Sequence, residues 1–147
     1  RTRTPLRHVT DTLAEDIALR VIKQTDSGVV VRGSRVLATL GPISDEIAVY
    51  PARSHHTVEN ADQYAVSFSI PCDTPGLKFI CRESFDYGRS HFDHPLGSRF
   101  DEMDAIVIFD DVLVPWERVF LLGDVRRCNE MSARTGWMSH SFHKVAT

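Results

Sequence analysis

Cysteine is scarce and odd in number: Cys72, Cys81 and Cys128 in 147 residues, with no CxxC pair. That excludes a disulfide-stapled scaffold and fits buried free thiols in a reducing, cytoplasmic compartment. Long apolar runs are missing too. No stretch approaches the ~20 apolar residues of a membrane-spanning helix. There is no excess of positive charge, since 17 Lys+Arg stand against 20 Asp+Glu for a net charge of −3. Nucleic acids and anionic membrane surfaces both demand a basic face, so neither is an expected partner. The glycine signatures of dinucleotide and phosphate-loop sites, GxGxxG and GxxxxGK[ST], do not occur, nor do HExxH and GxSxG. There is no internal repeat and no low-complexity tract. With 42% hydrophobic and 25% charged residues the composition is that of a folded domain, not a disordered tail. A chain of this size buries about 70% of its unfolded surface, enough for a core without staples.

What is present is a period of two. Over about 17–120 the apolar residues favour alternate positions. Strand runs read at 17–22, 29–33, 34–40, 46–50, 64–70, 77–82, 105–109 and 112–115. Turn residues punctuate them at Asp26-Ser27-Gly28, Gly41-Pro42 and Thr74-Pro75-Gly76. The expected fold is mainly β, an antiparallel barrel or sandwich of six to seven strands. After Gly123 the pattern becomes helical. Asp124 is placed to cap a helix, and Val125, Cys128, Met131, Met138, Phe142 and Val145 form one apolar stripe. Gly136 weakens that helix by up to ~1 kcal/mol relative to Ala. The chain opens on Arg1 rather than Met and stops at Thr147 inside the helical pattern. The expectation is a piece of a longer protein.

Candidate chemistry is sparse. His91 and His94, and His140 and His143, have the i, i+3 spacing that shares a helix face, but a metal site needs three or four ligands. Ordinary polar or packing histidines are the competing reading. The acidic groups Asp45-Glu46, Asp101-Glu102-Asp104 and Asp110-Asp111 offer paired carboxylates for acid–base work, or solvated strand-edge residues. Two long polar segments, 51–63 and 83–104, interrupt the strands, and unstructured loops of ~12 residues or more are often functional. In the first, His55-His56 is either an exposed tip or part of a lid. Leu37-Ala38-Thr39-Leu40-Gly41-Pro42 ends a strand on a hydroxyl and a Gly-Pro break, which would leave backbone amides free for a ligand.

Seven segments carry a family resemblance, at 26–33, 37–42, 44–51, 73–84, 94–96, 99–104 and 109–120; the most specific are Cys81-Arg82-Glu83-Ser84 and Phe109-Asp110-Asp111-Val112-Leu113-Val114-Pro115-Trp116-Glu117-Arg118-Val119-Phe120. They resemble the large oxygenase component of the 4-hydroxyphenylacetate 3-monooxygenase family, which has an acyl-CoA dehydrogenase-like fold. The resemblance implies a linker from an N-terminal helical domain at 1–16, a central β-barrel domain at 17–122 and the start of a C-terminal helical bundle at 123–147. It implies reduced FAD (FADH2) supplied by a separate reductase, O2, and ortho-hydroxylation of a phenol such as 4-hydroxyphenylacetate to a catechol through a flavin hydroperoxide. It also implies a homotetramer. The catalytic Arg, Tyr and His of such enzymes would lie outside this chain, leaving it inactive alone. Within it, Thr39 matches a flavin-contacting threonine, and Ala52 and Arg53 fall nearest the substrate-contacting pair. Arg53-Ser54-His55-His56 departs from the usual family sequence, which leaves the phenol unidentified. An acyl-CoA dehydrogenase-like flavoenzyme or dehydratase, and a non-catalytic β-barrel binding module, are the alternatives.

Overall fold

The computed structural model describes residues 17–51, 61–84, 86, 88 and 91–136. Seven strands run in chain order: β1 (Arg20–Thr25), β2 (Gly28–Thr39), β3 (Glu46–Val49), β4 (Val66–Pro71), β5 (Leu77–Cys81), β6 (Asp104–Pro115) and β7 (Val119–Leu122). Helix α1 (Gly97–Phe100) lies in the long polar segment, and α2 (Val125–Thr135) follows the last strand. The strands form two sheets, β1-β2-β6-β5 and β3-β4-β7, in which every pairing is antiparallel. Among the described residues no ladder joins the two sheets. The expected antiparallel β fold is therefore a sandwich and not a closed barrel.

Alternation builds the core. Val29 and Val31 of β2, Val66, Phe68 and Ile70 of β4, and Phe109, Val112 and Val114 of β6 are essentially inaccessible to solvent. The Phe68 and Phe109 rings bridge the sheets edge to face, with centroids 5.8 Å apart. Such pairs add about 0.5–1.5 kcal/mol beyond their buried area.

Two pairs of strand runs expected separately, 29–33 with 34–40 and 105–109 with 112–115, are each a single bulged strand, β2 and β6. On β6, Ala105, Val107 and Phe109 point inward, and then Val112 and Val114 do. An extra residue at Asp110–Asp111 resets the parity, because Val31 pairs with Val112 but Gly33 pairs with Phe109. Asp111 takes the left-handed conformation, at φ 52°, which Asp tolerates better than most residues. On β2 the extra residue lies between Arg35 and Ala38, which pair with Val107 and Ala105. The expected turns at 26–28 and 74–76 are present. Gly76 (φ 87°) is obligatory in its turn, because a Cβ there would lie 2.6 Å from the Asp110 carbonyl oxygen.

The first strand starts three residues later than expected, and β7 is a separate strand that the pattern did not resolve. The cap on α2 is as expected, with Asp124 Oδ1 accepting from the Arg127 amide at 2.8 Å. The helix does not run through Gly136, however. That residue is its left-handed C-cap at φ 64°, so Gly136 terminates the helix instead of weakening its interior. Met138, Phe142 and Val145 lie outside the described residues. Of the three cysteines expected to be buried, only Cys128 is; Cys72 is partly buried and Cys81 is exposed on β5.

Candidate functional site

The end of β2 is where the regular ladder opens. Beyond Thr39 the chain turns through Leu40, left-handed at φ 58°, into one turn of 3-10 helix at Gly41–Ile43, and then enters β3. Because β3 belongs to the other sheet, the two sheets part here. A cavity of about 560 Å³ lies between them, walled by β2, the 3-10 turn, β3 and the inward residues Val107 and Phe109 of β6. This volume is within the usual range of ligand pockets.

Thr39 lines the cavity and pairs with Asp104 at the start of β6. Its Oγ1 donates to Asp104 Oδ1 at 2.7 Å. With its proton so placed, the hydroxyl offers a ligand only lone pairs and acts as an acceptor. The backbone amides expected to be free around Gly41-Pro42 are mostly engaged. The Leu40 amide donates to the Met103 carbonyl at 2.7 Å, and those of Ile43 and Ser44 close the 3-10 turn at 3.1 Å each. The strand-end hydroxyl thus keeps only acceptor capacity toward the cavity, and the amides largely shape the turn.

Arg35, also on the wall, carried no signal as a site in the sequence. Counting in twos from Val29 and Val31 through Gly33 puts it on the core face, and its partner across the ladder is the buried Val107. Its Nε is sealed from solvent and has no hydrogen-bond partner. Burial pulls the guanidinium pKa below its ordinary 12.5, an effect opposed by nearby Cys128 of α2. Burial also raises the Cys128 thiol pKa above its usual value despite Arg35, so the thiol stays protonated and brings no counter-charge. The alternation of β2 was the one clue to this residue.

The carboxylate on the cavity wall, Glu46, is already engaged. Arg118 Nη1 lies 3.0 Å from its Oε1, and Ser69 Oγ donates to Oε2 at 3.0 Å. The hydrogen bonds from Arg118 and Ser69 hold its pKa below the ordinary 4.5. Three more of the acidic candidates are also partnered. Asp110 takes Lys78 at 2.8 Å, and Asp111 takes Arg32 in a two-pronged contact at 2.7 and 2.6 Å. Asp101 accepts from Arg82 and, at 2.9 Å, from Ser84. These are clasps between strands and loop ends, not catalytic carboxylate pairs. His91 Nδ1 contacts Ser98 Oγ at 2.9 Å on the surface. No group of three His, Cys, Asp or Glu residues is arranged to hold a metal among the described residues. Ala52, Arg53, His55, His56, His140 and His143 lie outside the described residues. The chain enters the 52–60 segment from Tyr50 and Pro51, which line the same cavity.

Comparison with known proteins places this geometry. The chain is 51% identical over 129 residues to the oxygenase component of 4-hydroxyphenylacetate 3-monooxygenase from Thermus thermophilus, covering 88% of the chain and 26% of that protein. A crystal structure of such a component, complexed with FAD and 4-hydroxyphenylacetate, superposes with a TM-score of 0.81 at 46% identity, over 99% of this chain and 30% of that one. A glutaryl-coenzyme A dehydrogenase shares the fold alone, at TM-score 0.52 and 16% identity. The chain spans about a quarter of the length of the first of these relatives. A family model described as 4-hydroxyphenylacetate 3-hydroxylase N terminal matches residues 5–121, and to that family the chain belongs.

Proposed function

We propose that this chain is the β segment of an FADH2-dependent aromatic monooxygenase, the oxygenase of a two-component system that hydroxylates a phenol of the 4-hydroxyphenylacetate class ortho to its hydroxyl. The observation that carries the reading is the cavity at the end of β2. It has an apolar back wall of Val107 and Phe109 and one oriented acceptor, Thr39, at its edge. Family membership supplies the class of chemistry. On this reading residues 17–122 are the central β-domain, 1–16 the linker into it and 123–147 the start of a helical bundle. A separate cytoplasmic reductase delivers the reduced flavin, and the assembly is a homotetramer.

The residues present suit a flavin ring. A planar, largely apolar body needs a flat apolar wall with few polar anchors, and the cavity presents Phe109, Val107 and the Thr39 oxygen. When bound, the reduced flavin supplies the two electrons with which O2 hydroxylates the phenol. The chain's own part is positioning and exclusion. Thr39 accepts from an N–H on the ring edge, and Asp104 holds that hydroxyl in the accepting orientation. Arg118 and Ser69 keep Glu46 ionised but occupied, so no loose carboxylate competes for the ligand. The sandwich walls keep water from one side of the reacting centre. Ala52 and Arg53 are assigned to substrate contact on the resemblance alone.

The test is turnover. The full-length protein with a flavin reductase, NADH and FAD is expected to convert 4-hydroxyphenylacetate or a close phenol to its catechol, read by liquid chromatography. The 147-residue chain alone is expected to form none. Absence of any phenol hydroxylation by the full-length protein overturns the reading, and turnover by the chain alone overturns the placement of the catalytic residues outside it.

A further inference from the structure

We propose that Arg35 is an anion-binding residue, its guanidinium taking a phosphate or carboxylate oxygen of the ligand that fills the cavity at the end of β2. The identity of that ligand rests on the flavin and phenol reading above; the site itself rests on the geometry of Arg35.

The core face of β2 is apolar from Val29 through Val31, and Gly33 is buried too. The next inward position is a guanidinium, opposite buried Val107, where the cavity opens. A half-buried guanidinium with an orphaned Nε–H is costly to keep, and a ligand that supplies the opposite charge offsets that cost. Among the described residues no carboxylate does so. Glu46 is held by Arg118 and Ser69, Asp104 accepts from Thr39, and Asp111 is clasped by Arg32. The Cys128 thiol is neutral. Nε is the unpaired atom. The guanidinium that borders the cavity is a planar fork of N–H donors, a geometry that suits two oxygens of one phosphate or carboxylate.

Two sources carry such oxygens: the pyrophosphate of FAD and the carboxylate of an arylacetate. Binding to the full-length protein, measured by calorimetry or anaerobic fluorescence, separates them through matched ligands. FAD is compared with riboflavin, which lacks phosphate. 4-Hydroxyphenylacetate is compared with 4-methylphenol, which lacks the carboxylate. Arg35→Met is expected to weaken one charged ligand about tenfold or more, the worth of a charge-assisted hydrogen bond, while changing its neutral counterpart less than about twofold. Loss confined to FAD assigns the phosphate; loss confined to 4-hydroxyphenylacetate assigns the carboxylate. Arg35→Lys keeps the charge without the fork and is expected to fall between the two. It serves alone if the Met variant does not fold. Equal weakening of charged and neutral ligands, or none for either, overturns the proposal. If the protein binds neither flavin nor phenol, the monooxygenase reading fails separately. Inorganic phosphate and acetate then probe the anion site directly. An Arg35-dependent rise in melting temperature supports it, and identical shifts in wild type and Arg35→Met refute it.

Discussion

Thr39 and Asp104 face each other across the last rung of the β2–β6 ladder, and their hydrogen bond decides what the hydroxyl offers. A threonine free to rotate is donor or acceptor at will; this one has its proton committed. Thr39→Val removes the acceptor and leaves the shape. In the full-length protein it is expected to weaken reduced-flavin binding by about 1 kcal/mol, roughly fivefold, and to raise the H2O2 released per NADH consumed. Unchanged affinity and unchanged H2O2 count against the assignment. The sequence made Thr39 visible because a strand-ending hydroxyl before Gly-Pro is conspicuous. It did not make Asp104 visible as its partner, since the two are joined only by strand pairing 65 residues apart. Arg35 stayed hidden for another reason. A charged residue in a strand reads as solvent-facing unless its parity is counted from the buried valines, and the bulges make that count uncertain without the ladder.

At the level of elements, apolar runs and turn residues located nearly every strand, because burial on one face imposes alternation. The joins were misread. Asp110-Asp111 looks like a turn but is a bulge within β6, stapled by Arg32 to Asp111 and by Lys78 to Asp110. Gly136 looks like a weak point within α2 but is its stop. In each case a positive φ, invisible in the residue pattern, decides the outcome. The staple has a pH signature. The hydrogen bond from Arg32 holds the Asp111 carboxyl below its ordinary 3.8, as those from Arg118 and Ser69 hold Glu46 below 4.5. A carboxyl whose pKa is depressed by folding stabilises the fold above its unfolded value and loses that contribution as pH falls through the folded one. Urea midpoints are therefore expected to drop with acidification below about pH 4. Asp111→Asn is expected to flatten that drop while lowering the midpoint slightly at pH 7. An acid limb identical to wild type contradicts the ion-pair account.

For the molecule as a whole, one apolar layer holds two sheets that share no ladder among the described residues. Phe109 is 1% exposed, meets Phe68 edge to face and also lines the cavity, so stability and site share a side chain. Phe109→Ala is expected to cost about 3–5 kcal/mol in urea unfolding. A loss under about 1 kcal/mol means that the sheets are held by something other than this layer. The two bulges bear on the history of the chain as well as its shape. The strands β2 and β6 are 12 residues each and pair end to end, Gly28 with Pro115 and Thr39 with Asp104, because the extra residue on one strand cancels the extra residue on the other. Deleting either extra residue alone would straighten its bulge and leave the pairs on both sides facing as before, so Thr39 would still meet Asp104. A one-residue deletion at a regular rung has no such slack: unless a new bulge forms, it flips the side chains beyond it to the other face. The bulges are therefore the places where this ladder can change length without moving the site's wall.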